Sequence, residues 1–594
     1  MNFRYLALLL IISGMLACEA DPKGNGEQMA DTPRVEFKQT DNTARIAIRA
    51  EPPGLNPVLS TQSVARYVHE NIFQTINDQD PETYEQVPLL ASLADIGKEE
   101  NGQVSYAYEI DADATWPNGL PVTAQDVIFS LKIVLNPLVA SGAYRPYYAM
   151  VSSVVTSPNN EKRFKIMTKR PYMLAEQAIG SLVIYPEYAY DPDQLLRSIA
   201  LTDFTNENRV AALAENSEAL KTFSEQFNDP EIGHSPDKIV GSGPYQLVSW
   251  EEGVSLRLER RDNYWANDRD ESWLAAEPDA LVFSIISDAS TIGNALRDEL
   301  VDVVVDMGID QFKEFRTEEY LQERYDFSTV NSFKYFGLLM NQNNPLLKEV
   351  KTRRALAHLV DVDAMIEQLF DGGLARRVVG PVLPGKSYYN DALEPIPYNP
   401  ERAATLLSEA GWEDADGDGI LDMEIDGERQ PLSFQFLVFP SATSEAIGTL
   451  VSEWAAEVGV DIEVVVQDFR ALYGELNKGN FAMAILGQGF DPSPDEFTQV
   501  WASTSVPPNG TNRGGFSSAE ADQLIKKIAI TIDPEQRDPL YRRFQEIVYE
   551  NQPMIFLVSP VDRVVVSRRF EFEPNSISPN VYFNDLKQAD WNKK

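Results

Sequence analysis

The chain runs to 594 residues, more than one ordinary hydrophobic core serves, and with 43% hydrophobic residues it has the apolar content to fill two or more domains. Its 91 acidic side chains outnumber 51 basic ones to give a formal charge of −40, which repels phosphate backbones and anionic headgroups and excludes nucleic acid as a partner. The single cysteine, Cys18, excludes an intrachain disulfide framework.

Arg4 is followed by an apolar run over 5–17, too short to span a bilayer and suited to the core of a signal peptide, 1–17, that is removed on export. Leu16-Ala17-Cys18 resembles the bacterial lipobox, which implies that Cys18 is diacylated, becomes the first mature residue and anchors an exported protein to a bacterial membrane on its periplasmic or envelope face. Residues 18–42 are polar, glycine-bearing and without period, the composition of a flexible tether.

The first lobe, 43–330, opens with a strand over 44–49 (ARIAIR) that leaves its sheet at the turn EPPGLNP. An inserted α+β subdomain over about 61–184 follows. It contains the alternating strand 104–110, and the capping box Thr123-Ala124-Gln125-Asp126 opens a helix carrying Val127, Phe129, Leu131 and Val134. Residues 191–235 read as helical and polar, with no chemistry of their own. Gly241-Ser242-Gly243-Pro244-Tyr245 is a turn opening a hairpin; no lysine or helix start follows its glycines, so it is not a phosphate loop. Strands over 281–286 and 303–305, flanking a helix from about Ser290, make a crossover unit.

A strand over 335–340 begins a new sheet in the second lobe, 331–552, which adds helices over 350–360 and 364–370, the GPVLPG turn and a βαβαβ run. That run comprises strand 432–439, helix 443–458, strand 461–467, helix 469–478 and the apolar stretch FAMAILG from Phe481. An apolar run without alternation fits a strand buried on both faces of a parallel sheet, and ligands of such sheets bind beyond the strands' carboxyl ends. The loop that follows, QGFDPSPD, carries Asp491 to that place, either as a ligand anchor or as the cap of a turn before Pro492. A long helix after Asp533 ends near Gln552, and residues 553–594 return to the first lobe, so that two crossings make a hinge.

Five runs in register resemble the family 5 extracellular solute-binding proteins of ABC importers, of the oligopeptide- and dipeptide-binding type: 49–61, 114–131, 241–250 with 260–265, 350–361 and the stretch 481–495. The resemblance implies an α/β, two-lobed periplasmic-binding-protein fold of type II-like form with an additional inserted α+β subdomain. It also implies a monomer that captures a small peptide or similar amine-bearing solute and hands it to a membrane permease. By residue matching, Asp491 takes the ligand's ammonium group, Gly489 offers backbone beside it, Phe469 stands where relatives place a pocket aromatic, and Glu51 approaches from the first lobe. Gln488, Phe490 and Pro492 depart from the tryptophan, small residue and aromatic common in relatives, so the pocket walls differ there.

Two other chemistries compete. The run DADGDGILDME looks like a calcium loop, with Asp414, Asp416, Asp418 and Asp422 at positions one, three, five and nine and Gly419 at six. Position twelve is Ile425, with Glu424 one residue early, so an Asp/Gly turn before a hairpin at Asp426-Gly427 is the other reading, and no cofactor is assigned. An exported hydrolase built on two carboxylates, or a surface glycan-binding lipoprotein, are the alternatives to a transport role. His69, His234 and His358 lack metal-ligand spacing and no thiol remains after lipidation, so the expectation is a binding protein that performs no reaction.

Overall fold

Fourteen residues, Met554–Ser567, form one strand that belongs to both halves of the molecule. Its first part pairs antiparallel with Lys334–Met340 (Leu339 opposite Met554) and with Ala375–Arg377. Its second part pairs antiparallel with Tyr325–Asn331, from Asn331 opposite Val561 to Tyr325 opposite Ser567, and with Val303–Val305. The computed structural model in which these pairings are seen describes residues 36–99 and 102–589. Cys18, the signal peptide 1–17 and most of the tether 18–42 lie outside the described residues.

This bridging strand joins what the sequence reads as two sheets into one. The order from edge to edge is Asp461–Val466, Ser433–Val438, Met483–Gly489, Lys334–Met340, Met554–Ser567, Val303–Val305, Thr43–Ile48, Ala280–Ile285, Ser255–Arg260, Tyr245–Glu251. The strand expected to start a new sheet at Tyr335 therefore continues the first one through its shared neighbour. Likewise the return to the first lobe starts at Val561, because Met554–Val558 still pairs inside the second lobe. The change of partner falls at Pro560, which has no N–H to give a ladder. Beside it the buried Ser332 donates its hydroxyl to the Pro560 carbonyl, and Lys334 pairs with Asp562.

The two faces of this sheet are covered differently. On one face a single apolar core runs through both lobes, joining Ala47, Leu296, Val304 and Phe312 of the first to Leu356, Phe436, Ile447 and Ile485 of the second. The opposite face carries two cores, one under the first lobe with Ile46, Leu258, Phe283 and Val566, the other under the second with Tyr335, Ala484, Trp501 and Phe556. Met173 of the inserted subdomain joins the second of these cores, so the two lobes also touch on that face.

The inserted subdomain is an antiparallel sheet in the order Ala91–Lys98, Val104–Ile110, Asn160–Thr168, Val151–Ser157, with helix Ala124–Leu135 against it. That helix starts as its sequence dictates: Thr123 Oγ1 accepts from Gln125 N at 3.3 Å and Asp126 Oδ2 accepts from Thr123 N at 2.9 Å. The unassigned residues 191–235 extend the subdomain. Phe223 sits edge-on to Phe129 at 5.9 Å, Asn136 Nδ2 donates to Ser224 Oγ at 2.9 Å and Lys132 Nζ donates to Leu196 O at 2.8 Å.

In the second lobe Ser433–Val438 and Asp461–Val466 run parallel, with helix Ala442–Ala456 between them in the chain. Met483–Gly489 is parallel to Ser433–Val438 but antiparallel to Lys334–Met340, not flanked by parallel strands on both sides as its apolar run suggests. The reason is topological. Lys334–Met340 leads away from the lobe crossing, so a strand antiparallel to it leads back, and Gly489 ends opposite Lys334. The loop that carries Asp491 is thereby delivered to the hinge.

Candidate functional site

Where the ladder ends, Phe490 N still donates to Phe333 O at 2.6 Å, within the segment that crosses between lobes. The chain then turns. Asp491 is exposed, and its Oδ1 accepts from Ser493 N at 2.9 Å, the side-chain-to-backbone turn that an aspartate before proline favours. Among the described residues its Oδ2 has no hydrogen-bond partner.

Beneath the loop lies Lys386, a buried lysine. Its Nζ donates to the carbonyls of Asp491 (3.0 Å), Pro492 (3.1 Å) and Ser493, and stands 3.5 Å from Asp495 Oδ1. Two residues further on, the Tyr388 hydroxyl accepts from Asp495 N at 2.9 Å; its ring stacks on Tyr541 at 4.0 Å, and Tyr541 donates to Asp495 O. The backbone oxygens of 491, 492, 493 and 495 thus all have donors. Burial pushes the Asp495 carboxyl up to about 6, against the pull of Lys386, and pushes the Tyr388 and Tyr541 hydroxyls well above their ordinary range. Asp495 Oδ2 is buried and unpartnered among the described residues.

The lobe crossing and the inserted subdomain pack around this loop from two sides. The Phe333 ring lies over Lys386 Nζ at 5.5 Å and meets Tyr84 of the inserted subdomain edge-on at 5.1 Å. Met173, also of that subdomain, donates its N–H to Ala529 O at 2.9 Å, and its sulfur is 3.5 Å from the Tyr541 hydroxyl. Asp491 stands on a braced loop at the lobe junction, with its own side chain left to solvent.

The expected site residues fall into three places. Gln488, Gly489, Phe490 and Asp491 share the strand end. Gln488, half-buried, donates to Gly489 O at 3.2 Å and lines a small pocket with Tyr335, Trp501, Asn512 and Arg513. Gly489 is exposed, with nothing within 4 Å of where a Cβ would stand, so its backbone is open to an approaching group. Phe490 tilts against Tyr335, itself a lining residue of that pocket, at 5.3 Å. Phe469 is elsewhere, 64% exposed beyond the carboxyl end of Ser433–Val438, stacked on Phe439 at 5.6 Å and against Tyr473 at 4.4 Å. Glu51 is committed within the first lobe, where Oε1 accepts from Trp250 Nε1 at 2.7 Å and Gly253 N at 3.2 Å.

The acids of the calcium-like run sit at the opposite, amino end of the parallel strands. The histidines are dispersed: His69 is buried, with burial lowering its imidazole to about 3, while His234 and His358 bond the Pro230 and Pro397 carbonyls. Lys386, Tyr388, Asp495 and Tyr541 went unread in the sequence. The available signal was a lysine set between a Pro-Gly turn and two tyrosines, in GKSYY, which has little reason to be buried unless it is bonded.

Residues 85–509 match the family described as bacterial extracellular solute-binding proteins, family 5. The oligopeptide-binding protein AppA of Bacillus subtilis is 24% identical over 574 residues, covering 95% of this chain and 94% of the relative. Heme-binding protein A of Haemophilus influenzae is also 24% identical, over 93% of each chain. In three dimensions the chain resembles AppA of Bacillus subtilis in complex with a nonapeptide, with a TM-score of 0.65 and 22% identity over 92% of this chain and 99% of that one. It likewise resembles NikA of Brucella suis in complex with Fe(III)-EDTA, with a TM-score of 0.72 and 19% identity over 92% of this chain and 100% of that one. These likenesses carry the fold.

Proposed function

This chain belongs to the bacterial extracellular solute-binding proteins of family 5, a family of binding proteins and not of enzymes, and from that premise we propose that it captures a small peptide or similar amine-bearing solute between its lobes and delivers it to an ABC permease. The observation that carries the proposal is the Asp491 carboxylate, exposed on a loop whose backbone is fixed by Lys386 at the lobe junction. A carboxylate held this way meets an ammonium group without reorganising, and closure of the lobes then desolvates the pair. Gly489 supplies open backbone beside it, and Gln488 and Phe490 flank it at the same strand end. The hinge is the pair of crossings at 331–334 and 559–561, and the chain performs no reaction of its own.

A peptide is the ligand class best supported, since the relative AppA is named for oligopeptides and Asp491 suits a free amino terminus. Lipid attachment at Cys18, removal of the leader and a monomeric state complete the proposal, with an ABC permease and, through the lipid, a membrane as partners. Among the described residues no helix is long and apolar enough to cross a membrane.

The test is a thermal-stability screen of the full chain against peptide mixtures and their N-acetylated copies. A ligand at about 100 times its Kd stabilises by about 2.7 kcal/mol, a readable shift. The expected result is stabilisation by free amino termini alone. Equal shifts from both sets would sink the role of Asp491, and turnover of a bound peptide would return the chain to the enzyme class.

A further inference from the structure

At the end of the second lobe opposite the Asp491 loop, residues 414–422 bring Asp414, Asp416 and Asp422 together so that one carboxylate oxygen of each lies within 4.8 Å of the others. Oxygens on opposite sides of a calcium ion, each at about 2.3–2.6 Å, stand about 4.6–5.2 Å apart, so this spacing admits one ion among them. The cluster is assembled by long-range pairing. Glu413 and Asp422 exchange backbone hydrogen bonds (3.0 and 2.7 Å), and Leu421 N donates to Gly459 O at 2.8 Å, pinning the loop against the turn before Asp461–Val466.

A second observation is separate from the gathering of acids. Asp422 is only 7% exposed, and its Oδ2 has no hydrogen-bond partner among the described residues. The nearest cation is the Arg429 guanidinium at 4.0 Å, outside hydrogen-bonding range. A buried carboxylate oxygen without a donor costs free energy unless a cation meets it. The other two acids already spend oxygens on the loop: Asp414 Oδ1 and Oδ2 accept from Gly417 N (2.8 Å) and Gly419 N (3.3 Å), and Asp416 Oδ1 accepts from Asp418 N at 3.2 Å. Asp418 is not among the three converging acids, and its Oδ1 accepts from Ile420 N at 2.8 Å.

We propose that Asp414, Asp416 and Asp422 hold a calcium ion that ties this loop and its hairpin, Asp422–Ile425 with Glu428–Pro431, to the amino end of the second lobe's parallel strands. An all-oxygen, all-carboxylate set suits a hard cation better than zinc or copper, whose preferred partners are imidazole and thiolate. Calcium is preferred to magnesium because three converging acids joined by loop and water oxygens make the loose, high-coordination site that calcium accepts, whereas magnesium demands a tight octahedron. Ile425 at position twelve supplies no bidentate closure, which places the affinity in the weak range of extracellular modules, a Kd of about 0.1–1 mM.

The experiment is isothermal titration of calcium chloride into the EDTA-treated full chain, repeated with Asp416→Asn and Asp414→Asn, both exposed positions whose replacement spares the core. Expected are one saturable site in that range, at least about 10-fold weaker binding in each variant, and weaker binding of magnesium. No saturable heat below about 10 mM calcium, or equal heats from the wild type and both variants, would overturn the site and leave Arg429 as the counter-cation of Asp422.

Discussion

Two acid-bearing loops at opposite ends of one lobe resolve the same electrostatic problem differently. Around 491–495 the chain supplies its own cation: Lys386 donates to three carbonyls and pairs with Asp495, leaving Asp491 the one carboxylate turned outward. Around 414–422 no lysine is drawn in, the acids cap their own loop, and Asp422 Oδ2 stays buried without a donor. A loop braced from within offers a fixed carboxylate to an organic ligand, whereas a loop short of positive charge has a use for an inorganic one.

The largest way to break this comparison is Lys386→Met. It keeps the volume but leaves an ionised Asp495 unpaired in a buried place and three carbonyls without donors, and losing one partner of a buried pair costs about 3–5 kcal/mol. Urea unfolding at neutral pH should show that loss. A change below about 1 kcal/mol would mean that water braces the loop as well as the lysine does.

Next comes a pH effect on the same pair. The Asp495 carboxyl is raised from 3.8 to about 6 on folding, so between those values the native state holds a proton that the unfolded chain has released. Its contribution to stability is therefore greatest below about pH 4 and is lost as pH rises through about 6, by about 3 kcal/mol at most. Other buried acids add their own slopes, so the readout is the difference between the wild type and Asp495→Asn, whose profile should be flatter across that window. Superimposable profiles would remove Asp495 from the account.

Asp491→Asn sharpens the contrast by leaving the loop intact. Ser493 N can still be capped by an amide oxygen, so stability should hold, while affinity for a peptide with a free amino terminus falls by about 2 kcal/mol or more, some 30-fold. Calorimetric titration of the variant with the best peptide from the screen decides it. Unchanged affinity would leave Asp491 as no more than a turn cap.

What could be read from the chain follows the range of the interactions. The capping box at Thr123–Asp126 and helix Phe469–Lys478 were legible because both are local: a side chain bonds the backbone within a turn, and the apolar period repeats every third or fourth residue. The bridging strand was legible only as two strands, because Pro560 interrupts a run whose unity depends on partners more than 180 residues away. Lys386 escaped for the same reason, its partners lying 105–107 residues on in the chain. The helical reading of 191–235 holds over Leu201–Phe204, Glu207–Asn216 and Glu218–Phe227, but the place of these helices escaped, because only contact with Phe129 and Asn136 shows which face they bury. Asp491 itself was found from an apolar strand ending in a polar loop, a signal that survived even though one of that strand's neighbours proved antiparallel.

The smallest expected effect concerns Glu51, matched by resemblance to a ligand-facing acid yet engaged by Trp250 and Gly253. If its carboxylate serves the hairpin, Glu51→Gln keeps an acceptor for Trp250 Nε1 and should cost well under about 1 kcal/mol, while Glu51→Ala leaves a half-buried indole donor without its partner and costs about 1 kcal/mol. Neither change should move peptide affinity by more than about 2-fold, since 0.4 kcal/mol is about that ratio and no ligand contact is lost. The informative result is the pair of measurements together. A stability loss with affinity intact assigns Glu51 to the scaffold, whereas weaker binding in Glu51→Gln at unchanged stability would show that the acid turns from Trp250 to the ligand as the lobes close. In that case the first lobe, like the second, would offer the ligand a carboxylate, and the contrast between a braced acid and a free one would hold for Asp491 only before closure.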